Sequence, residues 1–196
     1  MAGIEGLMKE LPIGDIAQRL GVDEATAKQA IDQALPTLFG GLKANAQDPA
    51  GERSIAEAVS QHPPSLVEGG VNLSDVDESD GEKIVSHVFG DNKQQVVQTL
   101  GGLPKGGGKA LQEKLLPILA PIVLSYLAKQ LGGKGGKGAG GLGGVLGDIL
   151  GSAAGGGKGG GGVGDILGDL LGGGGAKGKG GGVGDILGGL LGGGRR

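Results

Sequence analysis

Glycine is distributed unevenly along this 196-residue chain, and this limits where the chain can fold. Residues 132–196 contain 34 of the 50 glycines, whereas residues 1–131 contain 16. Glycine loses the most backbone entropy on folding and has no side chain to bury, so the glycine-rich part cannot build its own core. The first part has ordinary domain length and most of the large aliphatic side chains. We predict one domain over residues 1–131 and a low-complexity tail over residues 132–196.

The two parts also differ in charge. Residues 1–131 carry 11 Lys and Arg against 17 Asp and Glu, a balance of −6, whereas the tail carries 7 against 4, a balance of +3. An acidic domain repels phosphate backbones, and seven dispersed cations are too sparse to form a basic patch. We therefore expect no nucleic-acid partner.

Neither a secretion signal nor a membrane span is expected. The first 20 residues are acidic where a signal peptide is basic, and they contain no uninterrupted apolar core. The longest apolar run, LLPILAPIVLSYL at residues 115–127, is 13 residues long and contains two prolines. A span needs roughly 20 residues, so we interpret this run as a buried helix and expect a cytoplasmic protein without a membrane partner.

The domain has helical periodicity. One helix begins with Asp23 and Glu24 in its first turn; Pro36 is expected to kink it, and Gly40-Gly41 to weaken or end it. The apolar stripe of this helix is formed by Ala27, Ala30, Ile31, Ala34, Leu35 and Leu38.

Further helices are predicted over residues 52–62, 80–89, 92–100 and 110–131. The last should pass through the centre of the bundle, and residues 63–79 should form a surface loop. We predict an all-α fold, a compact multi-helix bundle followed by a flexible glycine-rich C-terminal tail.

Several motifs in residues 2–131 match a known bacterial family. They are Ile16-Ala17-Gln18-Arg19-Leu20-Gly21, Leu35-Pro36, Ile84-Val85 ahead of Phe89-Gly90, and Leu115-Leu116-Pro117-Ile118-Leu119-Ala120-Pro121. On these residues the chain resembles the family called domain of unknown function 937, which is related to the YidB-like proteins. The resemblance implies a compact helical domain and assigns no activity to these positions.

No catalytic, cofactor-binding or metal-binding site is predicted. The acidic run at residues 75–82 fits a calcium loop in neither register, and the glycine clusters lack the strand and lysine context of a phosphate loop. His62 and His87 are isolated in sequence and are interpreted as helix-end residues. We therefore predict a protein that is not an enzyme and needs no cofactor.

Residues 16–35 have the spacing of a helix-turn-helix, with Gly21 in the turn. Such a unit reads DNA with the start of its second helix. Here that helix begins with two acids and offers only Lys28 and Gln29 early on. Packing of two helices is the favoured interpretation, and a DNA-associated protein is the alternative function.

One short apolar phrase occurs three times in the tail, as GDILGSAAGGG at residues 147–157, GDILGDLLGGGG at 164–175 and GDILGGLLGGG at 184–194. As helices, the second and third copies each place four large side chains on one face, and the first is weaker because it ends in Ala153-Ala154. The predicted partner-binding residues are Ile166, Leu167, Leu170, Leu171, Ile186, Leu187, Leu190 and Leu191.

Each copy is about two turns long, too short to be stable as an isolated helix, so it should order only against another surface. That surface is either another copy of the tail, a groove on a partner or a groove on the chain's own domain; a membrane fits least. Spacers of 17 and 20 residues separate the aspartates of successive copies, which favours a flexible multivalent string over a rigid array. In the opposing interpretation, glycine-rich duplication produced the phrase without a function.

Overall fold

The computed structural model describes residues 3–104, 106–133 and 141–154. These residues form eight α-helices and no strand, which confirms the all-α prediction. The helices are α1 (Ile4–Glu10), α2 (Ile13–Leu20), α3 (Glu24–Asn45), α4 (Pro49–Gln61), α5 (Glu78–Phe89), α6 (Lys93–Gly102), α7 (Lys109–Gly133) and α8 (Gly141–Ala154). All eight belong to one compact unit.

Helix α7 is the centre of this unit, as predicted. Its side chains are buried from Leu115 to Leu127, and it packs against α2 to α6 and α8. Residues 109–132 are long and apolar enough to cross a membrane, but most of the helix is covered by the other helices. The apolar run therefore forms part of the hydrophobic core, and the other helices pack around it.

Helix α3 extends further than the sequence indicated. It continues through Pro36 and Gly40-Gly41 to Asn45, so the helix does not end at the glycines. A Cβ on Gly41 would lie 2.6 Å from Val88 Cγ1 and 2.7 Å from a Phe89 ring carbon. Glycine is present there because α5 packs closely on α3, and not because the helix ends. The predicted apolar stripe of α3 is buried throughout.

Residues 63–79 are not a simple surface loop. They form two short 3₁₀ helices, Pro64–Val67 and Leu73–Asp75, and they bury Val67, Val71, Leu73 and Val76. The Val71 amide donates to the Glu10 carbonyl (3.1 Å). The connection therefore covers one side of the core, and its apolar residues were too irregularly spaced to reveal this from periodicity.

Candidate docking site for the repeated phrase

Helix α8 contains residues 147–154 of the first copy of the repeated phrase. Leu142, Leu146 and Ile149 follow one another at intervals of four and three residues, lie on one face and are at most 5% exposed. Val145 and Leu150 flank them and are partly buried against the core, whereas Asp148 is exposed. The phrase is an amphipathic helix with its apolar face covered by the domain.

The covering surface is built from four other helices. Helix α8 packs most extensively on α3 and also contacts α1, α4 and α7. We call this surface of α1, α3, α4 and α7 the docking groove. At one end, a Cβ on Gly141 would lie 2.8 Å from the Glu52 Oε1 atom; at the other, a Cβ on Gly3 would lie 3.3 Å from the Ser152 Cβ.

Helix α1 forms one wall of the docking groove and is held by a buried tyrosine. The Tyr126 hydroxyl donates to the Gly3 carbonyl (3.0 Å) and accepts from the Gly3 amide (3.1 Å). Nearby, Lys129 Nζ lies 2.7 Å from Glu10 Oε1 and links α7 to the end of α1. The Tyr126 contacts hold the start of α1 next to Ser152. Helix α7 therefore determines the position of this wall of the docking groove.

The helix differs from the sequence expectation in length. It spans 14 residues, about four turns, and the aspartate lies in the middle of the helix, so Asp148 does not cap it. Four glycines inside α8 each lower helix stability by about 1 kcal/mol relative to alanine. Burial of three Leu or Ile side chains contributes roughly 4–9 kcal/mol before entropy is subtracted. The two effects are of comparable size, so α8 depends on the docking groove for its helical structure.

The sequence-predicted contact residues lie outside the described residues. They are Ile166, Leu167, Leu170, Leu171, Ile186, Leu187, Leu190 and Leu191. Leu142 is absent from the predicted contact residues and the first copy is the weakest by prediction, although the four-residue spacing between Leu142 and Leu146 is a usable signal. This copy also lies beyond the predicted domain boundary at residue 131.

The helix-turn-helix segment consists of α2 and α3, with Gly21 at φ 71° in the turn between them. The exposed start of α3 presents Asp23 and Glu24, and the Lys28 ammonium lies 3.0 Å from Asp32 on the same helix. Arg19 on α2 is directed to α5, where its Nε lies 2.7 Å from Glu78. The face that would meet a DNA groove is therefore acidic, with its early lysine already paired.

The two histidines have partners that sequence spacing did not reveal. His62, at the end of α4, lies 2.7 Å from the Ala58 carbonyl through Nδ1 and 2.9 Å from Asp80 through Nε2. These contacts join α4 to α5 and fit the helix-end role predicted for His62.

His87 lies beside a cleft of about 260 Å³ lined by residues of α3, α4, α5 and α7. Its Nε2 is 2.8 Å from Ser54 Oγ, which is the spacing of a nucleophile and a base. Within the described part of the chain, no carboxylate is hydrogen-bonded to His87 to orient it, and no group of three acids or histidines could hold a metal. Ser54 lies inside α4, where the backbone amides are engaged in the helix, so they do not form an oxyanion hole.

Comparison with known proteins identifies the helical domain. The family model described as a bacterial protein of unknown function (DUF937) matches residues 4–130. The chain belongs to this family. The DUF937 region ends in α7, so α8 lies beyond it and yet packs against its helices. No curated protein and no solved structure matches the chain.

Proposed function

We propose that this protein is a non-enzymatic interaction or assembly protein of the cytoplasm, whose tail makes multivalent weak apolar contacts with itself or with another protein. The observation that carries the proposal is the docked first copy of the phrase, whose apolar face lies in the docking groove. The sequence of α8 is a poor helix former in isolation, yet it is helical where it packs on a matching surface. This behaviour is typical of a segment that binds another protein surface.

Repetition strengthens this proposal. A single copy offers only three or four large side chains, which limits its affinity once association entropy is subtracted. Several copies joined by glycine-rich spacers act together, because binding of one raises the effective concentration of the next. The tail contains no aromatic residue, so this arrangement relies on its aliphatic side chains.

The test is removal of the large side chains from the second and third copies in the full chain. Replacing Leu170, Leu171, Leu190 and Leu191 with Ser should abolish concentration-dependent association in analytical ultracentrifugation and retention of partners from host lysate. The matched control replaces Lys177 and Lys179 with Ser, which alters the same segment without touching its apolar residues, and should behave like the native chain. Identical behaviour of all three proteins in both settings would contradict a contact function for the tail.

A further inference from the structure

The three copies of the phrase can be aligned on their aspartates, Asp148, Asp165 and Asp185. In α8 the buried positions lie two residues before the aspartate, at Leu146, and one residue after it, at Ile149. The corresponding residues are Val163 and Ile166 in the second copy, and Val183 and Ile186 in the third. Both central anchors of α8 therefore have apolar equivalents.

The third anchor of α8, Leu142, lies six residues before Asp148, and the later copies have Gly159 and Lys179 there. They instead carry Leu170 and Leu190 five residues after the aspartate. On a helix this position continues the stripe formed by the two central anchors, while the following residue lies about 100° further around. Leu191 would therefore lie at the edge of the contact face, and Leu190 at its centre.

The end of the docking groove distinguishes the second copy from the third. Ser152 is exposed and lies beside the start of α1, where a Cβ on Gly3 would meet its side chain. The equivalent residue is Asp169 in the second copy and Gly189 in the third. The third copy has no side chain to accommodate beside the start of α1, whereas the second would place a carboxylate there.

The described part of each chain forms one docking groove, which the first copy occupies, and the sequence contains two further copies of the phrase. We propose that residues 183–191 dock as a helix in the docking groove of a second copy of this chain, in place of that chain's own α8. This deepens the proposed function and rests on it, because it assigns the tail a specific receptor.

Competition with the resident helix sets the strength of this contact. The short connection of seven residues between α7 and α8 keeps the resident copy at an effective concentration of the order of 1 mM. If the resident copy and the third copy bind equally well, then at a chain concentration of 100 µM the third copy of another chain occupies about one docking groove in ten. The contact is therefore weak, transient and dependent on protein concentration.

The test uses disulfide trapping in the full chain, which contains no native cysteine. An acceptor chain carries Gly3→Cys with Ser152→Gly, and a donor chain carries Gly189→Cys. Gly3 has an extended backbone at φ 172°, which any residue can adopt. The donor control carries Gly184→Cys, on the opposite side of the same helical segment. A single chain with Gly3→Cys and Ser152→Cys is the positive control, because the Cβ separation is close to that of a disulfide.

We expect a disulfide-linked dimer from position 189, identified by the mass of the joined peptides, and several-fold less from position 184. Leu190→Ser in the donor should lower the yield about tenfold, whereas Leu191→Ser should have little effect. Leu146→Ser in the acceptor should raise the yield, because it weakens the resident helix. Circular dichroism of each variant establishes that it is folded.

Two results would overturn the proposal. Equal cross-linking from positions 184 and 189 would mean that the tail collides with α1 without docking. Failure of the 189 cross-link while the positive control forms would exclude the docking groove as receptor; if association in ultracentrifugation still depends on the tail leucines, the proposed function survives this failure. Loss of both the cross-link and the tail-dependent association would remove both proposals.

Discussion

At the scale of single residues, Asp23 determines where the longest helix of the amino-terminal half begins. Its carboxylate accepts hydrogen bonds from the Thr26 hydroxyl (2.7 Å) and the Thr26 amide (2.9 Å). These bonds, the hydroxyl first, lower the pKa of Asp23 below its ordinary value of 3.8, because they stabilise the charged form. An exposed side chain thus supplies the acceptor that the first turn of α3 needs.

Replacing Asp23 with Ala should lower the stability of the protein at pH 7. Since the folded-state pKa is depressed, the contribution is fully present above pH 3.8 and is lost as the pH falls through the lowered pKa. The difference between the native chain and Asp23→Ala should therefore shrink in acid. Urea midpoints at pH 7 and below pH 3.8 measure it, with Asp23→Asn as a neutral cap for comparison. A difference that is the same at both pH values would contradict a charge-dependent cap.

Features that depend on residues close together in sequence could be predicted, whereas contacts between residues far apart in sequence could not. The apolar stripe of α3 and the acids at its start follow from spacing along one helix. The bonds between Gly3 and Tyr126 join residues 123 positions apart, and the pair of Ser54 and His87 joins residues 33 apart. Neither pairing leaves a local pattern, because each depends on how the helices pack.

At the scale of helices, two glycines set how closely α5 approaches its neighbours. A Cβ on Gly81 would overlap the carbonyl oxygen of Pro117, so α5 lies directly on the backbone of α7. Gly41 has the same function on the α3 side of α5. Gly40, its immediate neighbour in α3, has open space around it. Close packing therefore accounts for Gly41 and not for Gly40.

We expect Gly81→Ala and Gly40→Ala to change stability in opposite directions. The Cβ at position 81 meets backbone that cannot move without separating α5 from α7, so the free energy of unfolding should fall by at least about 2 kcal/mol. The Cβ at position 40 meets nothing and raises helix propensity, so stability should rise by up to about 1 kcal/mol. Urea denaturation of both variants beside the native chain measures this. A neutral Gly81→Ala would contradict the close approach of α5 and α7.

The positions of helices α4 to α7 were largely predictable, and the errors elsewhere have separate physical causes. Helices α4 to α7 lie within a few residues of their predicted positions because proline, glycine and acidic caps mark their ends. Gly40-Gly41 gave the same signal without ending α3, and at Gly41 close packing accounts for the glycine. The 3₁₀ segments were missed because single turns have no period.

At the scale of the whole molecule, α8 links the tail to the domain. The sequence placed the boundary at residue 131, where glycine becomes frequent, because composition separates a core-forming part from a part that cannot form its own core. Composition does not show that such a part can contribute three side chains to an existing core, as Leu142, Leu146 and Ile149 do. The docking groove could not be predicted for the same reason, because four helices distant in sequence form it.

This gives a prediction for two truncated chains, one ending at residue 131 and one at residue 158. Both should give a helical circular dichroism spectrum and a cooperative melt, because the shorter one retains α7 as far as Leu131 together with helices α1 to α6. The shorter chain should be less stable by about 1–3 kcal/mol, since burial of three apolar side chains is largely offset by the entropy of ordering a glycine-rich helix. It should also bind a hydrophobic dye at the uncovered docking groove.

The matched control is the longer chain with Asp148→Asn, which changes an exposed side chain of α8 and should melt like its parent. The longer chain carrying Leu146→Ser and Ile149→Ser should approach the shorter chain in stability and dye binding, because it retains the residues of α8 but lacks two anchors. A coil spectrum for residues 1–131 would contradict the domain boundary. Equal stability and equal dye binding of the two truncated chains would mean that α8 does not cover the docking groove, and the receptor assigned to the tail would be lost with it.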